Sequence, residues 1–239
     1  MTPEVRLHLF FATENDSALI LLRARRRLFR LISWDRATDT FQDGQWLRRQ
    51  VLPEQSDLSP DGSHFIYGVY DGRYQQPAGE AYTVVSRPPW FTALALYPAG
   101  VSWSVGGYFL SNTLYRLPWA DGACDIIGRA DGLQRVVSGK VTKDCKTGLR
   151  LENGKAAPLP RDIRVALLDG KPPADPGYLD RYDTMNGCLH RILPGGDLEL
   201  IRDFREMEFE PMRAPYDDRP EGDGPDTDGS WHPLQKDEP

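Results

Sequence analysis

The chain has 239 residues, a formal net charge of −6, 40% hydrophobic residues and 27% charged residues. This is the composition of an ordinary globular protein with enough apolar material for a core, and it excludes a low-complexity or collagen-like chain. The apolar runs fall far short of the roughly 20 residues that cross a bilayer as a helix, and three cysteines without a Cys-x-x-Cys pair argue against a disulfide framework or a zinc site.

The N-terminal stretch, MTPEVRLHLFFATEND, lacks the basic region and the small-residue cleavage site of a secretory signal peptide. We therefore expect a cytoplasmic protein. Because no apolar run is long enough to span a bilayer, we also expect no membrane partner.

Residues 17–34, SALILLRARRRLFRLISW, contain neither Gly nor Pro. They fit either an amphipathic helix or two strands hinged near Arg25 to Arg27, and the hairpin-like sequence that follows favours strands. The arginine cluster is then a solvated turn. A nucleic-acid patch is the alternative, but the cluster is short and the body of the chain is not basic, so we expect no nucleic-acid partner.

From residue 35 onward, short β-rich runs alternate with turn signals such as Asp43-Gly44, Ser-Pro-Asp-Gly at residues 59–62 and Asp71-Gly72. The runs between the turns are HFIYGVY (64–70), AYTVVS (81–86), FTALALY (91–97), YFLSNTLYRL (108–117), IRVALL (163–168), CLHRIL (188–193) and DLELIRDF (197–204). Short strands separated by turns of this kind predict an all-β fold.

Two motifs carry a resemblance to a known architecture. Trp34-Asp35 resembles the strand end of WD40 blades, and Ser-Pro-Asp-Gly followed by HFIYGVY resembles the hairpins of WD40-like and TolB-like propellers. Residues 30–117 are also similar to a set of uncharacterised bacterial proteins. The resemblance implies a small β-propeller or a propeller-like array of antiparallel hairpins, with a β-sandwich or barrel as the alternative, and it implies no activity.

Four residues are the candidates for a binding surface: Arg87, Trp90, Trp103 and Tyr108. In SRPPWF (86–91) two prolines stiffen the chain and remove two backbone donors, which disfavours a central strand. Trp90 then stands at a strand entry beside Arg87, and exposed Trp and Arg side chains dominate binding hot spots. The structural alternative is that Trp90 and Phe91 fill the core beneath a rigid turn.

The sequence supports no catalytic or cofactor motif. The histidines, His8, His64, His190 and His232, have no metal-ligand spacing, and no phosphate-binding glycine loop occurs. We therefore predict no metal and no cofactor. An enzyme, in this case a hydrolase, would have to assemble its site from distant residues, with Asp57, Asp61, His64 and His190 as candidates.

The C-terminal part divides into two segments. Residues 203–216 repeat apolar side chains at Phe204, Met207, Phe209 and Met212, which predicts a segment that closes the last sheet or covers an edge. Residues 217–239 contain eight acids and two bases and account for the whole net charge. We therefore predict a propeller-like domain over residues 1–216 and an acidic flexible tail over residues 217–239.

Together these features favour a non-catalytic module that binds a protein partner through loops at one face of its sheets. A toxin-neutralising, immunity-type protein of the bacterial cytoplasm is one concrete form of this hypothesis. The hydrolase is the alternative.

Overall fold

The computed structural model describes residues 5–72, 78–99, 105–117, 130–135 and 181–217. The described strands are β1 Arg6–Phe11, β2 Ser17–Arg25, β3 Leu28–Asp35, β4 Thr40–Leu47, β5 Gln50–Leu58, β6 Phe65–Tyr70, β7 Ala81–Ser86, β8 Ala93–Ala99, β9 Tyr108–Phe109, β10 Leu114–Arg116, β11 Gln134–Arg135, β12 Tyr182–Asp183, β13 Cys188–Ile192 and β14 Leu198–Asp203. Within these ranges the helical residues are Arg181 and the short turn Met185–Gly187, all 3-10, so the predicted all-β class is confirmed. No helix in them has the length and apolar character that crossing a membrane requires.

The strands form four sheets. Sheet I has the order β1-β2-β3-β4, sheet II β5-β6-β7-β8, sheet III β11-β10-β9 and sheet IV β12-β13-β14. Neighbouring strands are antiparallel, except that β11 runs parallel to β10. The ambiguous residues 17–34 are the paired strands β2 and β3, as predicted, and Arg26 and Arg27 form the turn between them.

Strand β2 explains why the sheets stack face to face. It has a run of five buried residues at Ala18 to Leu22, and successive side chains of a strand point to opposite faces. Leu19 and Leu21 enter one core, while Ala18, Ile20 and Leu22 enter another. A strand that is covered on both faces needs apolar residues at every position, and burial of each leucine contributes about 1.5–3 kcal/mol.

Three hydrophobic cores give the order of the stack. The first core joins sheet I to sheet II, for example through Phe10 and Phe65, whose ring centroids are 5.1 Å apart. The second joins sheet I to Leu189 of sheet IV, and the third joins Ile66 of sheet II to Phe109 of sheet III. The four sheets therefore follow one another in the order IV, I, II, III.

The first hairpins of sheets I, II and III meet at one end of this stack. Strand β1 lies beside β5, and β5 lies beside β9. Pro60 O accepts hydrogen bonds from the amides of Thr13 and Glu14, at 2.9 and 3.0 Å. The amide of Asp61 donates to Asn112 Oδ1 at 2.9 Å, and Asn112 Nδ2 donates to Glu14 Oε2 at 2.7 Å. The turns of three successive sheets thus form one connected end of the molecule.

The Ser-Pro-Asp-Gly turn at residues 59–62 is the β5–β6 hairpin, as predicted. The amide of Gly62 donates to Ser59 O at 2.9 Å, and Gly62 has a φ of 75°, a conformation that favours glycine. A Cβ at this position would lie 2.9 Å from Ser17 Cβ of sheet I. Glycine is therefore needed both for the turn and for the close approach of the two sheets.

The prediction of a turn at Asp43-Gly44 was wrong, because both residues lie inside β4. The pairing register of β3 with β4 shifts here, between Arg30 and Ile32, which indicates a bulge. The bulge turns the next amide, that of Gln45, toward sheet II, where it donates to Pro89 O at 3.0 Å.

The C-terminal segment 204–217, which we call the strap, has the covering role predicted for residues 203–216. Phe204 lies in the core between sheets I and IV, and Phe209 packs against Trp46 of β4, with ring centroids 6.1 Å apart. Farther along, the strap reaches the β7–β8 loop of sheet II. The predicted strand 163–168 and residues 218–239 of the predicted tail 217–239 lie outside the described residues.

Candidate functional site

The loop at residues 87–92 joins β7 to β8 at the same end of sheet II as the Ser-Pro-Asp-Gly turn. Its conformation is fixed from sheet I by Gln45, which is 2% exposed. Gln45 Oε1 accepts hydrogen bonds from the amides of Phe91 and Thr92, at 2.8 and 2.9 Å, and from Thr92 Oγ1 at 3.1 Å. The peptide bond between Pro88 and Pro89 is cis. One buried amide side chain therefore satisfies the backbone donors where the loop enters β8.

The strap holds the same loop from the other side. Gln45 Nε2 donates to Met212 O at 3.0 Å, which ties the strap to sheet I. The Tyr216 hydroxyl donates to Thr92 O at 2.7 Å and accepts from the amide of Arg87 at 3.2 Å. Burial raises the pKa of Tyr216 to about 12, so the hydroxyl keeps its proton at neutral pH and remains a donor.

Arg87 and Trp90 are presented at the surface of this braced loop. Arg87 is exposed and Trp90 is half-buried, and a turn hydrogen bond of 2.9 Å runs from the amide of Trp90 to Arg87 O. The Arg87 guanidinium lies 5.5 Å from the centre of the Tyr216 ring, within the range of a cation–π contact. The loop thus displays a cation beside two aromatic side chains.

The two remaining candidates for binding lie elsewhere. Tyr108 is on β9 of sheet III with 7% of its surface exposed, so it contributes packing rather than exposed area. Trp103 lies outside the described residues. The structure therefore brings Arg87 and Trp90 together, with Tyr216 as a neighbour that the sequence did not suggest.

A polar cluster lies beside this loop. Phe65 of β6 pairs with Ser86 of β7. His64, which precedes Phe65, and Arg87, which follows Ser86, therefore lie at the same end of these two strands. Ser63 Oγ lies 2.8 Å from each carboxylate oxygen of Asp61 and 2.7 Å from His64 Nδ1. A hydroxyl has one proton, so when Ser63 donates to the carboxylate, His64 Nδ1–H is the donor to Ser63.

The charges of this cluster follow from burial and hydrogen bonding. Burial alone raises the pKa of Asp61, but hydrogen bonds from Ser59 and Ser63 outweigh it and hold the pKa below its ordinary value. Burial lowers the pKa of His64, Asp61 opposes that shift, and Arg87 adds to it. At neutral pH Asp61 is therefore ionised and His64 is neutral.

This arrangement differs from that of a Ser-His-Asp hydrolase. There the carboxylate holds the histidine and the histidine holds the nucleophilic serine. Here Ser63 lies between Asp61 and His64, so the histidine cannot be oriented by the carboxylate while it activates the hydroxyl.

The other two residues of the hydrolase hypothesis are not part of the cluster. Asp57 is 2% exposed, and its Oδ2 accepts a hydrogen bond of 2.8 Å from the amide of Phe109. His190 lies on β13 of sheet IV, on the far side of sheet I. Among the described residues, no group of three His, Cys, Asp or Glu side chains is placed to hold a metal ion.

Sequence reasoning missed Gln45 and Tyr216. Gln45 follows a glycine in a polar stretch that looks like a turn, and its partners Phe91 and Thr92 are 46 and 47 residues away. Tyr216 continues the alternation of inward side chains along the strap, after Met212 and Ala214, and that alternation is the signal that could have found it.

Comparison with protein-family models, with curated proteins and with solved structures finds no match to this chain. The resemblance of Trp34-Asp35 and residues 59–62 to propeller repeats stays a prediction.

Proposed function

We propose that this chain is a non-catalytic, propeller-like module of the bacterial cytoplasm that binds a protein partner through the surface of Arg87, Trp90 and Tyr216. The observation that carries the proposal is the bracing of the 87–92 loop, by Gln45 on one side and by the strap on the other. A toxin-neutralising, immunity-type protein is one form that such a module takes.

The sheet arrangement supports the propeller-like part of the proposal. In a propeller, successive four-stranded meanders place their first strands around one axis. Sheets I and II are consecutive four-stranded meanders, and the first strands of sheets I, II and III are neighbours in chain order. The contact of Glu14 with Asn112, from sheets I and III, is what convergence on an axis requires.

The rigidity of the loop supports the binding part. Ordering a flexible side chain at an interface costs about 0.5–1.5 kcal/mol, and a loop fixed before binding avoids much of that cost. Arg and aromatic side chains supply most hot-spot energy in protein interfaces. Arg87, Trp90 and Tyr216 are such side chains, and the hydrogen bonds around Thr92 fix the backbone that carries them.

The hydrolase remains the second candidate because Asp61, Ser63 and His64 form one hydrogen-bonded cluster beside Arg87. A neutral histidine can act as a general base. Because the Asp61 carboxylate contacts Ser63 rather than His64, we rank the hydrolase below the protein-binding function.

The test is affinity capture from a lysate of the native host with the tagged full chain. The wild type is compared with Arg87→Ala/Trp90→Ala and with a control, Leu198→Ala/Leu200→Ala, which changes two exposed residues of sheet IV. We expect the wild type and the control to recover one stoichiometric partner, and the loop variant to lose it by more than about tenfold.

Two results would overturn the proposal. One is a partner that the loop variant captures as well as the wild type does. The other is the absence of any partner together with a hydrolytic activity that His64→Gln abolishes.

A further inference from the structure

The β2–β3 hairpin ends in a cluster of arginines at the other end of sheet I, away from the Ser-Pro-Asp-Gly turn. Strand β2 runs from Ser17, near that turn, to Arg25 at the opposite end. Arg25, Arg26 and Arg27 are exposed, and Arg23 is half-buried. Arg27 takes a left-handed conformation, with φ 58°, at the tip of the hairpin.

These arginines lack the carboxylate partners that other arginines of the protein have. Within the described ranges Arg23, Arg25 and Arg26 form no ion pair, whereas Arg36 and Arg191 do. Arg6 on β1 also stands directly opposite Arg23 in register. Like charges that face each other across two strands repel, so these two residues place two positive charges next to each other at this end of sheet I.

Among the described residues, Asp71 and Glu54 lie near the hairpin and do not pair with its arginines. Burial raises the pKa of Asp71, and the charge of Arg27 acts to lower it. Asp71 is 4% exposed, however, and forms an ion pair of 2.9 Å with Arg49. Glu54, on β5, is exposed and interacts with His8 of β1. The tip of the hairpin therefore remains a positive surface.

An open groove of about 290 Å³ continues this surface between β1 and the 3-10 turn of sheet IV. Arg6 and His8 line one side, and Thr184 and Met185 line the other. Met185 is 52% exposed, which makes it an apolar side chain available for contact. The two walls lie close together at Gly187, where an added Cβ would be only 2.8 Å from Val5 Cβ.

The groove and the arginines together fit an acidic segment of a protein better than a nucleic acid. Arg and Met are enriched in protein–protein interfaces. Single-stranded nucleic acids bind on aromatic platforms, and none of the described residues that line this groove is Phe, Tyr or Trp. These arginines also lie at one end of strands β1 and β2 and in the β2–β3 turn, rather than along an extended stripe of phosphate contacts.

We infer that this end of the molecule binds an acidic segment of a partner protein, with carboxylates on Arg23, Arg25 and Arg26 and one apolar side chain in the groove beside Met185. The surface lies at the opposite end of sheets I and II from the Arg87 loop. It is therefore a second contact, and it does not depend on the function proposed for that loop.

The experiment measures binding of a fluorescein-labelled peptide, Glu-Asp-Leu-Glu-Glu-Leu-Asp, to the full chain by fluorescence anisotropy. The matched peptide replaces every acid by its amide, Gln-Asn-Leu-Gln-Gln-Leu-Asn. We expect the acidic peptide to bind and the amide peptide not to bind. We expect binding to weaken with added salt, because the exposed charges are screened.

Two charge variants locate the site. Arg25→Gln/Arg26→Gln should weaken binding of the acidic peptide by about fivefold to tenfold, as expected for losing two exposed ion pairs. The control Arg36→Gln/Arg213→Gln removes the same net charge away from the groove and should stay within about twofold of the wild type. Equal loss in both variants would show that only overall charge matters and would overturn the inference.

The Met185→Gln variant tests the groove. It should weaken binding of the peptide that contains leucines and leave a peptide with glycine at those positions unaffected, because only the leucines have an apolar contact to lose. Equal effects on both peptides would contradict the groove assignment.

Three further outcomes name a different occupant and also overturn the inference. One is displacement of the peptide by an oligonucleotide of equal charge at the same concentration. Another is self-association that Arg25→Gln/Arg26→Gln abolishes, measured by sedimentation. The last is much tighter peptide binding by a chain that ends at Asp217, which would identify the protein's own acidic C-terminal residues as the occupant.

Discussion

At the scale of single residues, Gln45 has the largest influence on the candidate surface. Its side chain accepts three hydrogen bonds from Phe91 and Thr92 and donates one to Met212 O, and it joins sheet I, sheet II and the strap. A buried amide that loses its only acceptor destabilises the fold by the full cost of its desolvation. The rigidity of the loop therefore depends on one side chain that is distant in sequence.

We predict that Gln45→Leu lowers the free energy of unfolding by about 2–4 kcal/mol, because it leaves the buried amides of Phe91 and Thr92 without an acceptor. Urea unfolding followed by tryptophan fluorescence measures this. The control Gln42→Leu changes an exposed glutamine of the same strand and should stay within about 0.5 kcal/mol of the wild type. Equal stability of the two variants would contradict the brace.

A pH dependence also belongs to this scale. Burial lowers the pKa of His8 and of His64 below the ordinary value, so the unfolded chain takes up protons at a higher pH than the folded chain does. The free energy of unfolding should therefore fall as the pH decreases from 7.5 through about 6.5, where free histidine titrates. Asp61, whose pKa is also lowered, should extend the loss at more acidic pH.

The double variant His8→Asn/His64→Asn should show a smaller loss of stability than the wild type between pH 7.5 and about 5.5, because it lacks the two groups that take up protons on unfolding. Urea midpoints at the two pH values measure the difference. A loss of the same size in the variant and the wild type would rule out the histidines as its source.

At the scale of elements, the strands with dense β-branched or aromatic runs could be predicted from the sequence. AYTVVS is β7 with the predicted bounds, and FIYGVY is β6. Strand β5, QVLPEQSDL, could not be predicted, because Pro53 and four polar residues hide its pattern. It is a strand because its two ends pair with β6 around an irregularity between Leu52 and Asp57, and such long-range pairing leaves no local signal.

The irregular part of β5 lies against Gly106, which shortly precedes β9 of sheet III. This contact predicts how substitutions of that glycine affect stability. A Cβ on Gly106 would lie 1.8 Å from Gln55 O, and Gly106 has φ 83°. Gly106→Ala should therefore destabilise the protein by more than about 4 kcal/mol or prevent folding. Gly132 has φ 82° with nothing within 4 Å of an added Cβ, so Gly132→Ala should cost only the conformational strain of about 1–2 kcal/mol.

Thermal or urea unfolding of both glycine variants measures this difference. The two positions share one backbone conformation and differ in the space around them, so the difference between them reports the approach of sheet III to β5. Similar costs for the two variants would show that this approach is loose.

At the scale of the whole molecule, the stacking of sheets is what the sequence could not specify. The Arg87 and Trp90 pair could be predicted because a local motif, SRPPWF, carries both residues. Tyr216 could not, because it reaches Arg87 across 129 residues of chain. The β2–β3 hairpin also carries Arg25 and Arg26, which form no ion pair within the part of the chain that the structure describes.

The meeting of the hairpin turns of sheets I, II and III at one end is tested most directly by cross-linking Glu14→Cys to Asn112→Cys with a short bismaleimide. The native cysteines are first replaced by serine, and peptide mass analysis detects the link. The side chains of Glu14 and Asn112 are 2.7 Å apart, so we predict rapid cross-linking within one chain. The control Glu14→Cys/Arg26→Cys places the thiols at opposite ends of sheet I and should not cross-link. Reactive thiols at positions 14 and 112 that fail to link, or a control that links equally well, would contradict the arrangement.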